Sequence, residues 1–233
     1  MQRVSVNGVS VYPFHSKQQI IEYLHEVENG ILFAVNARKI MTSPDYIKEA
    51  INDNIGYIDG YGAIWALRRK GFKGELSRMP GVELWLQIIE NFTDRRYYLI
   101  GSRQDIINNV VNKLEREYPG INIVGYRDGY FNSDEYELLK QDIQNRKPDF
   151  IFVAMGSPKQ EDIMIDLYKN YKAVYMGLGG SFDVYSGKVN RAPAIIQKLG
   201  LEGPYRFTLK PTRLFDRKIF YFEYFWKLLL GRF

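Results

Sequence analysis

Short β-branched and aromatic runs alternate along this chain with amphipathic stretches, and that alternation limits the fold more than any other feature. The runs are Ile31–Val35, Tyr57–Ile58, Tyr97–Ile100, Ile121–Val124, Phe150–Ala154 and Ala173–Met176. Between them lie helical patterns at Lys17–Val27, Pro44–Asn52, Ala63–Lys70, Val82–Phe92, Asp105–Tyr118, Asp134–Asn145 and Lys159–Lys169. Strands separated by helices of this length require crossover connections, hence a mostly parallel sheet. The expected fold class is α/β and Rossmann-like, with helices on both faces of the sheet. Ligands of such sheets bind beyond the carboxyl ends of the strands. The residues following each run are therefore the first place to look for chemistry.

Five of these strand ends carry small or polar residues. Asn36 follows the first run, Asp59-Gly60-Tyr61-Gly62 the second and Gly101-Ser102-Arg103 the third. Gly156-Ser157-Pro158-Lys159-Gln160-Glu161 follows the fifth. After the sixth, Gly177, Gly179 and Gly180 let the backbone turn sharply and approach a ligand. Asp183 lies just past them, followed by Lys188, Arg191 and Pro193. A strand, a glycine turn, one acid and nearby cations make a cradle suited to a phosphorylated ligand. Each piece also has a purely structural reading. Asp59-Gly60 is a common turn pair, and Asn36 fits an Asx-turn. Ser157, Pro158 and Gln160 fit a helix start, as N-cap, N1 and N3. Asp183 and Ser102 fit caps. Their clustering at equivalent strand ends argues for a site but names no substrate.

Composition then removes several classes. The chain has no Cys, which excludes a disulfide framework and a thiolate metal site, and with only two His, His15 and His25, a His-rich zinc site is not expected. No Asp-x-Asp pair of the kind that holds a divalent metal occurs, so no metal cofactor is expected. No Gly-x-Gly-x-x-Gly opens a helix after the first strand, which disfavours a dinucleotide oxidoreductase. The first residues lack the apolar core of a signal peptide, and no stretch approaches the ~18 apolar residues of a membrane span. The expected compartment is the cytoplasm.

Charge is distributed unevenly. Arg206, Lys210, Arg213, Arg217, Lys218, Lys227 and Arg232 face only Asp216 and Glu223 in the last segment, so the whole net charge of +5 resides there. That segment also holds a cluster of aromatics, IFYFEYFW. The break divides the chain into an α/β domain over 1–204 and a basic, aromatic helical appendage over 205–233. Pro211 suits the first turn of its helix, and Arg213 and Arg217 share a helical face. The appendage is too short to cross a bilayer but suits an anionic membrane surface. The competing reading is a helix packed on the body or on another subunit.

The motifs together resemble the WecG/TagA/CpsF family of glycosyltransferases. The matching pieces are VNARKI (35–40), IDGYG (58–62), SRMPGVELW (77–85), DGYF (128–131), VAMGSPKQEDIM (153–164), YMGLGGSFDVYSGKVNRAP (175–193) and LGLEGPYRFTLKPTRLFDR (199–217). Their wording is closest to the WecG branch. Two departures stand out: Gly203-Pro204 replaces the family's usual Trp-Leu, and Ala34 stands where the TagA branch tends to have Thr.

That resemblance implies an inverting transfer of N-acetylmannosaminuronate from its UDP donor to undecaprenyl-diphosphate-linked GlcNAc. The reaction belongs to envelope polysaccharide synthesis of the enterobacterial common antigen type. The TagA-type alternative moves N-acetylmannosamine to the same acceptor; a nucleotide-binding module without catalysis is the other alternative. Asp59 is implied as the catalytic base, with Asn36 and Arg78 beside it. Gly60, Gly156, Ser157, Gln160, Glu161, Gly179, Gly180, Asp183 and Arg191 are implied for the donor, and Arg206, Arg213 and Arg217 for the diphosphate. No nucleic-acid partner is implied. The expected location is the cytoplasmic face of the bacterial inner membrane, as a peripheral protein, and self-association is left open.

Overall fold

The computed structural model describes residues 1–193, Ile196, Glu202, Tyr205 and 215–231, without the side chains of 215–219 and Tyr221. Its centre is a six-stranded sheet built from β3 (Gly30–Val35), β4 (Ile55–Ile58), β5 (Arg96–Gly101), β6 (Asn122–Arg127), β7 (Phe150–Ala154) and β8 (Val174–Gly177). The strand order is β4-β3-β8-β7-β5-β6, and every neighbouring pair is parallel. The expected parallel α/β architecture is what the chain adopts.

The continuous apolar runs follow from burial on both faces, because crossover helices cover both sides of a parallel sheet. Alternate residues of each strand enter two separate cores. Phe150, Phe152 and Ala154 of β7 point to one, with Leu32, Tyr97, Leu99, Val174 and Met176. Ile151 and Val153 point to the other, with Ile31, Phe33, Val35, Tyr98, Ile100 and Tyr175. On the first face lie α1 (Lys17–Glu26), α5 (Gly81–Asn91), α6 (Gln104–Glu117) and α9 (Ser181–Tyr185). On the second lie α2 (Ala37–Thr42), α3 (Asp45–Asp53), α4 (Tyr61–Arg69), α7 (Ser133–Arg146) and α8 (Lys159–Asn170). Trp85 of α5 is fully buried and meets Phe152, Phe182 and Tyr185 edge-on, at centroid distances of 5.8, 5.6 and 5.1 Å. It fastens α9, and so the segment after β8, to the sheet.

Besides the short helices α2 and α9, an N-terminal hairpin and the start of α8 differ from the sequence expectation. Residues 4–11 form an antiparallel hairpin, β1 (Val4–Val6) and β2 (Val9–Val11), turned by Asn7 and Gly8, both at positive φ. Asn-Gly between alternating valines is a strong hairpin signal. The hairpin covers the open edge of β4: the Tyr12 N–H donates to the Gly56 carbonyl at 2.9 Å, and the Asn52 side chain bonds Ser10 and Gly8. The second difference is at α8. Ser157 does not cap it; Pro158 holds the N-cap position, and the Ser157 hydroxyl donates instead to Glu161, at 2.6 Å.

The last described helix, α10 (Phe215–Leu230), packs on the body beside α2 and α4. Tyr224 is 5% exposed and donates to the Gly62 carbonyl, and Arg69 donates to the carbonyls of Leu228 and Leu229 at 3.0 and 2.8 Å. Phe222, Phe225, Trp226, Leu229 and Leu230 remain exposed on it. The packing contact and the outward aromatic surface coexist on one helix.

Candidate active site

The carboxyl edge of the sheet gathers the strand-end residues into two neighbouring groups. The first forms where β3 and β4 end. Asn36 closes β3 and caps α2, its side-chain oxygen accepting from the Lys39 N–H at 3.1 Å. It is an N-cap rather than an isolated Asx-turn, because a helix starts at once behind it. The Asp59 N–H donates to the Val35 carbonyl at 2.9 Å, so the two strand ends lie side by side. Gly60 begins α4 against Asn36: a Cβ there would lie 3.7 Å from the Asn36 Cβ. Gly62 is required by the same crowding, since its Cβ would meet the Ala37 Cβ at 2.7 Å.

Asp59 is partly buried, and its Oδ1 accepts the Gly81 N–H at 3.0 Å. Burial raises its proton affinity above that of an ordinary carboxylate. The Gly81 hydrogen bond and the cations Lys39 and Arg78 offset this without cancelling it, while Glu202 adds to it. A carboxylate so tuned has the chemistry of a general base, a group that stays ionised yet has a driving force for taking up a proton.

Arg78 reaches the same place from the loop before α5. Its guanidinium lies 5.4 Å from the Tyr61 ring centre and donates to the Glu202 carboxylate at 2.6 Å. Arg191 donates to the other oxygen of Glu202 at 3.0 Å and pairs with Glu83 at 2.8 Å; Glu83 in turn binds Lys17. The chain Lys17–Glu83–Arg191–Glu202–Arg78 thus joins α1, α5 and the segment after β8. Burial works against the Glu202 carboxylate, but bonds from Arg191 and Arg78 outweigh it and hold its proton affinity below the usual value. Both predicted arginines are therefore ion-paired and share one carboxylate.

The second group forms where β5, β7 and β8 end. The Leu178 N–H donates to the Val153 carbonyl at 2.8 Å, bringing the β8 turn beside β7. Gly179 has φ +58, a left-handed value that favours glycine, and open space lies where a Cβ would stand. Its N–H donates to Gln160 Oε1 at 2.8 Å. Gly156, also at positive φ, faces open space as well. Asp183 accepts from Ser102 at 3.0 Å, tying α9 to the end of β5. Gly180 lies exposed beside Asp183.

Gln160 and Glu161 are 4% and 1% exposed. Glu161 pairs with Lys39 at 2.9 Å. Burial disfavours its charge, but Lys39 together with bonds from Ser157 and Gln160 lowers its proton affinity below the usual value. Lys39 was not a sequence candidate. Nor was Glu202, which is separated by 124 residues from its partner Arg78. Of the predicted arginines, Arg206 and Arg213 lie outside the described residues, as do Pro211 and the Arg217 side chain. Among the described residues, no cluster of three or more His, Asp or Glu side chains could hold a metal ion, and no helix is long and apolar enough to cross a membrane.

A parallel sheet whose carboxyl rim presents one tuned carboxylate, two left-handed glycine turns and paired arginines has the layout of the α/β folds, whose ligands bind at strand ends. The family model for glycosyl transferases of the WecG/TagA/CpsF family matches residues 4–233. The chain belongs to that family and is a sugar-transferring enzyme.

Proposed function

We propose that this enzyme transfers N-acetylmannosaminuronate from its UDP donor to undecaprenyl-diphosphate-linked GlcNAc, with inversion and without a metal, at the cytoplasmic face of the inner membrane. The observation that carries the reading is Asp59: one partly buried carboxylate with raised proton affinity, at the end of β4 beside the end of β3, bonded by the Gly81 N–H and felt by the cations Lys39 and Arg78. In the proposed step the acceptor hydroxyl gives its proton to Asp59 as its oxygen bonds the anomeric carbon. The bond from that carbon to the UDP oxygen breaks, and UDP leaves with the electron pair. A single displacement on the face opposite the leaving group inverts the anomeric centre.

Charge developing on the departing diphosphate must be met by fixed donors. The amides of the Gly156 and Gly179 turns supply one side in this reading, and Arg78 and Arg191 the other. Guanidinium groups suit this work because they donate paired hydrogen bonds. Glu202 already occupies both arginines with two carboxylate oxygens. A diphosphate offers the same acceptor geometry with more charge, so donor binding exchanges Glu202 for phosphate oxygens. The exposed aromatics of α10 lie on the helix that touches Gly62, which supports a membrane-facing side next to the site where a lipid-linked acceptor arrives.

The test is a panel of UDP-sugars offered with a short-chain lipid-diphosphate-GlcNAc acceptor in excess EDTA, with products read by mass. The expected product carries the mass of an added N-acetylmannosaminuronate. A product from UDP-N-acetylmannosamine alone would move the enzyme to the TagA-type reaction. Turnover that EDTA abolishes and Mg²⁺ restores would overturn the metal-free step.

A further inference from the structure

We infer that Lys39 and Glu161 are a buried positioning pair that holds the Gly179 turn in its donor-receiving form. The inference rests on the reading that this turn takes the donor. Buried polar or charged side chains among the described residues are Lys39, Gln160, Glu161 and Ser181. All four converge on one short stretch of rim. Lys39 Nζ donates to the Ala34 carbonyl at 2.9 Å and pairs with Glu161 Oε1 at the same distance. Gln160 Nε2 donates to Glu161 Oε1 at 3.0 Å, and Gln160 Oε1 accepts the Gly179 N–H at 2.8 Å. Ser157 donates to the second Glu161 oxygen, and the Ser181 hydroxyl donates to the Leu178 carbonyl at 2.6 Å.

The connected groups run from β3 through α2 and α8 to the turn after β8. Each member fixes the next. Glu161 holds the Gln160 amide group in one orientation, so that its oxygen, not its nitrogen, faces Gly179. With that amide reversed, two donors would confront each other. Gly177 leaves room for the arrangement: a Cβ there would come within 2.7 Å of Gln160 Nε2. Gly179 itself has no side chain with which to lock its backbone. A buried ion pair is weak evidence of stabilisation, because well-fitting neutral residues often serve as well. Its placement beneath a glycine turn is better explained by geometry than by stability. Neither Lys39 nor Glu161 needs to touch the substrate.

The test uses the full chain carrying Lys39→Met with Glu161→Gln, which removes both charges at nearly constant volume, and Glu161→Gln alone, which leaves the Lys39 ammonium buried without its partner and is the harsher variant for stability. Amide hydrogen exchange is followed over residues 176–187, with denaturant unfolding and UDP affinity measured alongside. The expected result is faster exchange confined to that turn and UDP affinity about tenfold weaker, the order of one well-aligned hydrogen bond. The unfolding midpoint of the double variant stays near that of the parent, whereas that of Glu161→Gln alone falls. Lys39→Arg, which keeps the cation, retains most of the protection. Exchange and UDP affinity equal to the parent's in both variants would overturn the inference. So would exchange raised evenly along the chain of the double variant with a lowered midpoint, the mark of a merely structural pair. A parent protein that fails to bind UDP would sink the donor assignment, whereas the exchange pattern would still report on the pair.

Discussion

Replacing Asp59 by Asn is expected to lower turnover ~10²–10⁴-fold, the range of a lost general base, while leaving UDP affinity essentially unchanged. The amide keeps the shape of the carboxylate and an oxygen for the Gly81 N–H. It cannot accept the acceptor's proton. The pH dependence should carry the same signature. Burial favours the neutral form of Asp59 and raises its proton affinity, so the base is lost as pH falls through that raised value. The acid limb of kcat/KM should therefore lie higher than that of an ordinary aspartate and vanish in the variant. A variant with near-parent turnover would remove Asp59 from the role and leave Asp183, which already binds Ser102, as the next carboxylate to test.

The second large effect is expected at Arg78. Among the described residues its guanidinium meets the Tyr61 ring and the Glu202 carboxylate, and both fix its plane at the rim. Arg78→Ala should lower kcat about 10²–10³-fold, the cost of removing one preorganised donor from developing charge. Lys at this position should recover little, because an ammonium provides neither the stacking nor the paired hydrogen bonds. Glu202→Gln should act in the opposite sense on binding: it frees Arg78 and Arg191 from a competing carboxylate, so UDP affinity rises. Steady-state kinetics with parallel UDP titrations separate the two effects. Arg78→Ala with unchanged kcat, or Glu202→Gln with weakened UDP binding, would contradict the exchange of carboxylate for diphosphate.

The parallel sheet was legible because its strands are buried on both faces. Phe150–Ala154 is an unbroken apolar run, and it had to be an inner strand. The outer strand β6, with exposed and half-buried residues throughout, was legible only in its first half. Short elements escaped. The six residues of α2 and the five of α9 are too few for a helical period to emerge. The hairpin at 4–11 was missed although Asn7-Gly8 announced it. In the site, strand-end residues could be named from the sequence because topology alone brings them to one rim. Their partners could not. Lys39 finds Glu161 only because α2 and α8 cover the same face of the sheet, and Glu202 finds Arg78 across most of the chain. Local sequence carries the spacing of an N-cap such as Asn36, but not the long-range pairing that neutralises a buried charge.

The central claim is that the rim formed by the ends of β3, β4, β7 and β8 is the donor site. Hydrogen exchange of the parent protein with and without saturating UDP tests it directly. The predicted footprint is protection at 35–40, 58–62, 155–161 and 177–183. Protection confined to 82–90 and 113–117 of the groove that Arg191 shares with Lys17, Glu83, Lys113 and Tyr185, with 35–40, 58–62 and 155–161 unprotected, would contradict it.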